Sequence, residues 1–78
     1  MEEIKSDQII DLRGVKCPLN YVKAKLKIED LKAGEVLELF LDDGEPILNV
    51  PRSIKEDGHK IVSIKKVENY YKVIVEKK

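Results

Sequence analysis

Between Glu35 and Leu41 the chain alternates without a break. Leu37, Leu39 and Leu41 fall on one side of an extended segment and Val36, Glu38 and Phe40 on the other. Asp42-Asp43-Gly44 ends this strand. Upstream, Gln8 to Leu12 reads as another strand, with Ile10 and Leu12 on one face and Gly14 as its break. The period then changes. Leu19, Val22 and Leu26 at helical spacing predict a helix from Pro18 to Glu29, with Pro18 at a favourable first position. Lys32-Ala33-Gly34 makes the turn back. A second helix is expected from Pro46 to Glu56, burying Ile47, Val50 and Ile54, with Gly58 as its stop. Pro51 lies inside that pattern and should kink or divide the helix, because its ring removes a backbone donor. Lys60 to Val67 and Tyr70 to Glu76 close the chain as two strands joined by the tight turn Glu68-Asn69.

The order is therefore βαβαββ. Right-handed crossovers place both helices on one side of the sheet, which makes an α+β, two-layer sandwich with one sheet face open. Val36, Phe40 and one of Tyr70 and Tyr71 on that face form a candidate contact surface.

Length and charge narrow the classes. The chain has 78 residues, 42% of them hydrophobic, which suits one small domain over residues 1–78 with residues 1–7 as a flexible lead-in. No apolar run approaches the roughly 20 residues of a membrane span. Met1-Glu2-Glu3-Ile4-Lys5-Ser6 has the wrong charge and no apolar stretch for a signal peptide, so the expected compartment is the cytoplasm. Fifteen basic and fifteen acidic residues cancel. Direct nucleic-acid binding, which favours a basic excess, is therefore not expected. The abundance of Lys, Glu and Ile is the composition of many thermophile proteins.

The chemistry centres on Arg13-Gly14-Val15-Lys16-Cys17-Pro18-Leu19-Asn20, which holds the single cysteine. One thiol excludes an intrachain disulfide and a multi-thiolate metal site. If Pro18 opens the helix, Cys17 occupies the N-cap, where amides of Leu19 and Asn20 and the helix dipole favour a thiolate. Cysteines in that position have pKa values lowered from about 8.5 to about 3.5–7.5, and Arg13 and Lys16 add positive potential. The competing reading is a small buried hydrophobe. The polar flanks Lys16 and Asn20 tilt the balance toward a reactive thiol. His59 precedes the third strand, and nothing in the sequence brings it to Cys17 as a base. What remains is a lone nucleophile that holds a group and passes it on.

Asp11-Leu12-Arg13-Gly14-Val15-Lys16-Cys17-Pro18 resembles the D-x-R-G-x-x-C-P-x-P signature of the TusA/SirA-like sulfur-carrier family. Gly34-Glu35, Asp42-Asp43, Val50-Pro51 and Gly58-His59 also fall where that family has similar residues. The resemblance implies a four-stranded mixed sheet and a persulfide on Cys17. It implies as partners a cysteine desulfurase or other sulfur donor and a downstream acceptor protein; no cofactor is expected, and no metal, because the paired carboxylates Asp42 and Asp43 would lack further ligands. Asp11 and Arg13 would orient the cysteine loop, and Gly14, Pro18 and Leu19 belong to the motif around it. Lys16, Asp42 and Asp43 are candidate partner contacts, the two aspartates being ordinary turn formers as well. The family's second proline is Asn20 here. Its amide and side chain are expected to add donors for the sulfur that a proline lacks. The alternatives from other classes are a small RNA-binding module and a thiol redox sensor or interaction adaptor.

Overall fold

The alternating segment forms the centre of the sheet. A computed structural model of the chain describes residues 7–16 and 18–78. Its elements are β1 (Gln8–Asp11), α1 (Leu19–Glu29), β2 (Val36–Asp42), α2 (Glu45–Glu56), β3 (Lys60–Val67) and β4 (Tyr70–Glu76). The sheet order is β1-β2-β4-β3, with β1 parallel to β2 and the other two pairings antiparallel. It is the expected four-stranded mixed sheet with two helices. Leu37 pairs with Val75 and Leu39 with Val73 across β2 and β4, and all four are fully buried. A buried leucine of this kind contributes about 1.5–3 kcal/mol relative to exposure. Val36, Phe40 and Tyr70 share the opposite face, and Tyr71 lies beside Leu41 on the core side.

Asp7, assigned to the lead-in, is tied to the sheet. Its amide donates to the Val36 carbonyl at 2.9 Å, and its carboxylate accepts from the Val36 amide at 2.8 Å. The rest of that lead-in lies outside the described residues.

α1 turns a different face inward from the one its large apolar residues mark. Asn20, Ala24 and Ile28, at i, i+4 and i+8, are its buried residues, while Leu19, Val22 and Leu26 are exposed. Ala24 belongs to the buried core cluster, and a methyl there lets a helix lie close over strands already filled by leucines. Periodicity reveals that a helix has two faces. It does not reveal which one the sheet accepts.

α2 also departs from expectation, because it runs through Pro51 undivided. Val50, Pro51 and Ile54 are all buried, with Ile47 packed at the margin. Tertiary burial of this face outweighs the one hydrogen bond that Pro51 removes. Asp57 caps α2 and accepts a hydrogen bond from the Tyr21 hydroxyl, tying the helices together. This bond, with burial secondary, raises the Tyr21 pKa above its ordinary value.

The outer strands are modest. β1 has four residues, and β3 carries Lys60, Lys65 and Lys66 with a register irregularity between Ile61 and Ser63. After β4, Lys77 reaches back, its ammonium donating to the Leu31 and Glu29 carbonyls at 2.6 and 3.2 Å. A cation is favourable at a helix C-terminus, where carbonyls lack helical partners.

Candidate functional site

The segment leading to the cysteine begins where β1 ends. Leu12 is buried and its amide donates to the Phe40 carbonyl at 2.9 Å, extending the β1–β2 pairing by one residue. The Val15 amide then donates to the Leu12 carbonyl at 3.2 Å, closing a tight turn with Arg13 and Gly14 at its centre. Gly14 has φ +79°, the left-handed conformation required at the third position of a type II turn. A Cβ built there meets nothing within 4 Å, so backbone conformation and not space selects glycine. Gly14→Ala is expected to cost about 1–2 kcal/mol, read as a lower urea midpoint at unchanged slope. An alanine variant as stable as the parent would contradict this account.

Two carboxylates brace that turn. Asp11 accepts from the Arg13 amide at 3.0 Å, from its Nε at 3.0 Å and from a terminal guanidinium nitrogen at 2.8 Å. The Arg13 guanidinium also lies 4.5 Å from the ring centre of Tyr70 and 5.7 Å from that of Phe40. The two rings meet edge to face at 5.8 Å. Arg13 is thus held by a bidentate carboxylate and by two aromatics on the open sheet face. Asp42, from the end of β2, accepts a hydrogen bond from the Gly14 amide at 2.6 Å. Among the described residues Asp43 bonds only the next residue, its Oδ1 accepting from the Gly44 amide at 2.8 Å.

The hydrogen bonds from Arg13, side chain first and amide second, lower the Asp11 pKa from 3.8 to about 2. The same carboxylate raises the pKa of Arg13. Both side chains are nearly half exposed, so the pair orients the loop more than it stabilises the fold. A depressed carboxylate pKa gives stability that is present above the ordinary value and lost as pH falls through the folded one. The clamp therefore persists from neutral pH down to about 2. An NMR titration of the Asp11 carboxyl should show this low midpoint, with a return toward 3.8 in Arg13→Ala. A midpoint that Arg13→Ala leaves unmoved would refute the clamp.

Cys17 lies outside the described residues. Its neighbours show how the helix starts after it. The N-cap is Pro18, and the helix opens at Leu19, one residue later than expected. Pro18 offers no side-chain cap, so the first amides find other acceptors. The Asn20 amide donates to the Lys16 carbonyl at 3.1 Å and the Val22 amide to the Pro18 carbonyl at 3.0 Å. The Tyr21 amide donates to Asn20 Oδ1 at 2.7 Å. The amide expected to serve the sulfur is thus engaged with Lys16. The Asn20 side chain is fully buried, with its oxygen accepting from the Tyr21 amide and its Nδ2 without a hydrogen-bond partner among the described residues.

Gly14, Val15 and Lys16 on one side and Asp42, Asp43, Glu45 and Pro46 on the other line a groove of about 500 Å³. The structure thereby brings together Asp11, Arg13, Gly14, Lys16, Asp42 and Asp43, with Pro18, Leu19 and Asn20 opening the helix that follows. His59 is elsewhere. β3 runs parallel to β1 through their shared neighbours, so the start of β3 and the end of β1 lie at opposite ends of the sheet. His59 Nδ1 accepts from the Lys78 amide at 3.2 Å. Phe40 and Tyr70 are the site residues that sequence reasoning did not connect with Arg13. The signal was present, since alternation puts Asp11 and Phe40 on the same face.

The chain has relatives. The family model for Sulfurtransferase TusA matches residues 8–77. The chain belongs to the TusA family. The TusA assignment is supported by curated sequences of similar length. A chain of Archaeoglobus fulgidus named "Putative sulfur carrier protein" is 35% identical over 77 residues, covering 97% of this chain and 88% of that one. The sulfur carrier protein TusA of Buchnera aphidicola is 30% identical over 71 residues, 91% of this chain and 90% of that one. In three dimensions, a SirA-like protein from Desulfitobacterium hafniense superposes with a TM-score of 0.76 at 23% identity. That superposition covers 88% of this chain and 95% of the other and shows that the two share a fold. A TusA sulfur-carrier role involves a protein that gives sulfur and one that takes it. Among the described residues, no helix is long and apolar enough to cross a membrane.

Proposed function

We propose that this protein carries sulfane sulfur as a persulfide on Cys17, received from a cysteine desulfurase or another donor protein and relayed to an acceptor protein. The observation that carries this reading is the double bracing of the Leu12–Val15 turn. Asp11 grips Arg13 in three places and Asp42 holds the Gly14 amide. That arrangement fixes Gly14, Val15 and Lys16 at one end of the sheet beside an open groove, as suits a carrier whose partners supply the rest of the site.

The exchange balances without an external oxidant. The Cys17 thiolate attacks the terminal sulfur of the donor's persulfide. A new S–S bond forms, the donor's own S–S bond breaks, and the donor cysteine leaves as a thiolate with the electron pair. The acceptor's thiolate repeats the step on the Cys17 persulfide. A single cysteine, with no second thiol in the chain to close a disulfide, fits relay chemistry in a reducing compartment.

The test is intact-protein mass spectrometry after incubation with a cysteine desulfurase and free cysteine, or with a persulfidated donor protein, beside Cys17→Ser. Expected is the gain of one sulfur atom that requires Cys17 and vanishes on treatment with dithiothreitol. A gain that resists the thiol would indicate sulfinic acid instead. No gain from either donor would overturn the reading.

A further inference from the structure

Asn20 carries a buried donor that the fold leaves unused. Its side chain is 0% exposed, Oδ1 accepts from the Tyr21 amide at 2.7 Å, and Nδ2 has no hydrogen-bond partner among the described residues. Leaving a buried donor unpaired costs more than a typical hydrogen bond returns, so native structures keep few of them. Local geometry says where this one points. Asn20 is the second residue of α1, and its own amide donates to the Lys16 carbonyl at 3.1 Å, which closes one helical turn between those two residues. Side chains on a helix lean toward its N-terminus, over the turn before their own Cα. Helical amides point the same way, so an oxygen seated on the Tyr21 amide keeps the carboxamide at that end. Cys17 stands three residues before Asn20, a spacing at which residues of one turn are neighbours.

We propose that Nδ2 of Asn20 receives the outer sulfur of the Cys17 persulfide, the atom that this carrier transports. The assignment rests on the persulfide reading of Cys17 and adds a place on the carrier for its cargo. The outer sulfur lies about 2 Å beyond the sulfur of the cysteine itself. It bears the negative charge of the persulfide, and so brings the charged acceptor that Nδ2 lacks. Charge also decides which way that atom turns. Asp42, Asp43 and Glu45 stand across the groove from the loop, whereas the start of α1 offers the positive end of a helix dipole. The empty carrier therefore holds an unsatisfied donor and the loaded one does not, which shifts sulfur exchange toward loading. With glutathione persulfide as the source, the Cys17 thiolate attacks the outer sulfur and a new S–S bond forms. The S–S bond of the source breaks, and glutathione leaves as a thiolate with the electron pair.

The experiment compares the parent with Asn20→Asp, which keeps an oxygen for the Tyr21 amide and removes the donor, and with Asn20→Leu, which removes both at similar size. Each protein is brought to equilibrium with glutathione persulfide and glutathione, and the loaded fraction is read by intact-protein mass spectrometry. The equilibrium constant for loading should fall about tenfold or more in both variants. In isotope-labelled parent, the NMR resonances of the Asn20 side-chain amide should move on loading and return after dithiothreitol, a readout that needs no variant. The urea midpoint of the parent should rise on loading, and that of Asn20→Leu should not. A carboxamide that only caps the Tyr21 amide predicts normal loading of Asn20→Asp, and that result would overturn the site. Asn20 resonances unmoved by loading would overturn it too, and in both cases the persulfide reading stands because the parent has loaded. Failure of the parent to load from glutathione persulfide or from a cysteine desulfurase would overturn both.

Discussion

Leu39→Ala is expected to leave the protein barely folded. Leu39 is fully buried in the central strand, opposite Val73 and between Leu37 and Leu41 on the same face. Truncating a core leucine costs about 2–5 kcal/mol, from lost transfer free energy and the cavity that remains. A domain of this length has a total stability of about 4–12 kcal/mol, so the change removes a large fraction of it. Urea unfolding followed by circular dichroism should show a midpoint lowered by roughly 2 M with little change in slope. Leu39→Met, which conserves volume, should cost less than about 1.5 kcal/mol. Equal losses in the two variants would mean that cavity formation is not the cause.

The second large effect is expected at Asp42, and the contrast with its neighbour makes it specific. Asp42 holds the Gly14 amide at 2.6 Å from 28 residues away, whereas Asp43 among the described residues bonds only Gly44. Hydrogen bonds to charged groups are worth about 1.5–3 kcal/mol. Asp42→Ala should lose an amount in that range and slow persulfide loading of Cys17, because the turn before the cysteine is no longer held. Asp42→Asn keeps an acceptor and should fall between. Asp43→Ala should stay within about 0.5 kcal/mol of the parent. Urea midpoints and loading rates on the same four proteins decide the matter. Matching effects at Asp42 and Asp43 would show that both act only as turn formers or partner contacts.

Much of this fold can be read from residue order. The alternation of Leu37, Leu39 and Leu41 identified the core face of β2, and the predicted bounds of β3 and β4 coincide with those observed. What escaped had physical reasons. Asn20 lies fully buried because it shares the inward face of α1 with Ala24 and Ile28, its side chain taking the Tyr21 amide. Residue type alone would have placed it outside. Pro51 continues a helix because burial on both sides of it overrides local preference. The inward face of α1 was hidden because the sheet accepts Ala24, not the larger leucines. In the site, the motif pointed to Asp11 and Arg13. The reach of Asp42 to Gly14 is a long-range contact that only the parallel pairing of β1 and β2 creates.

The two outer strands bear on how the protein behaves when concentrated. Val62 and Ile64 on β3 and Ile9 on β1 are exposed apolar residues on strands with an unpaired side, a setting that invites other chains to add strands. The irregular register between Ile61 and Ser63 spoils the regular spacing of amides and carbonyls a newcomer would need, and Lys60, Lys65 and Lys66 repel a copy of the same strand. At the other margin, β1 offers only four residues. Both described margins thereby carry features that discourage added strands, which lowers the tendency to form fibrils at high concentration.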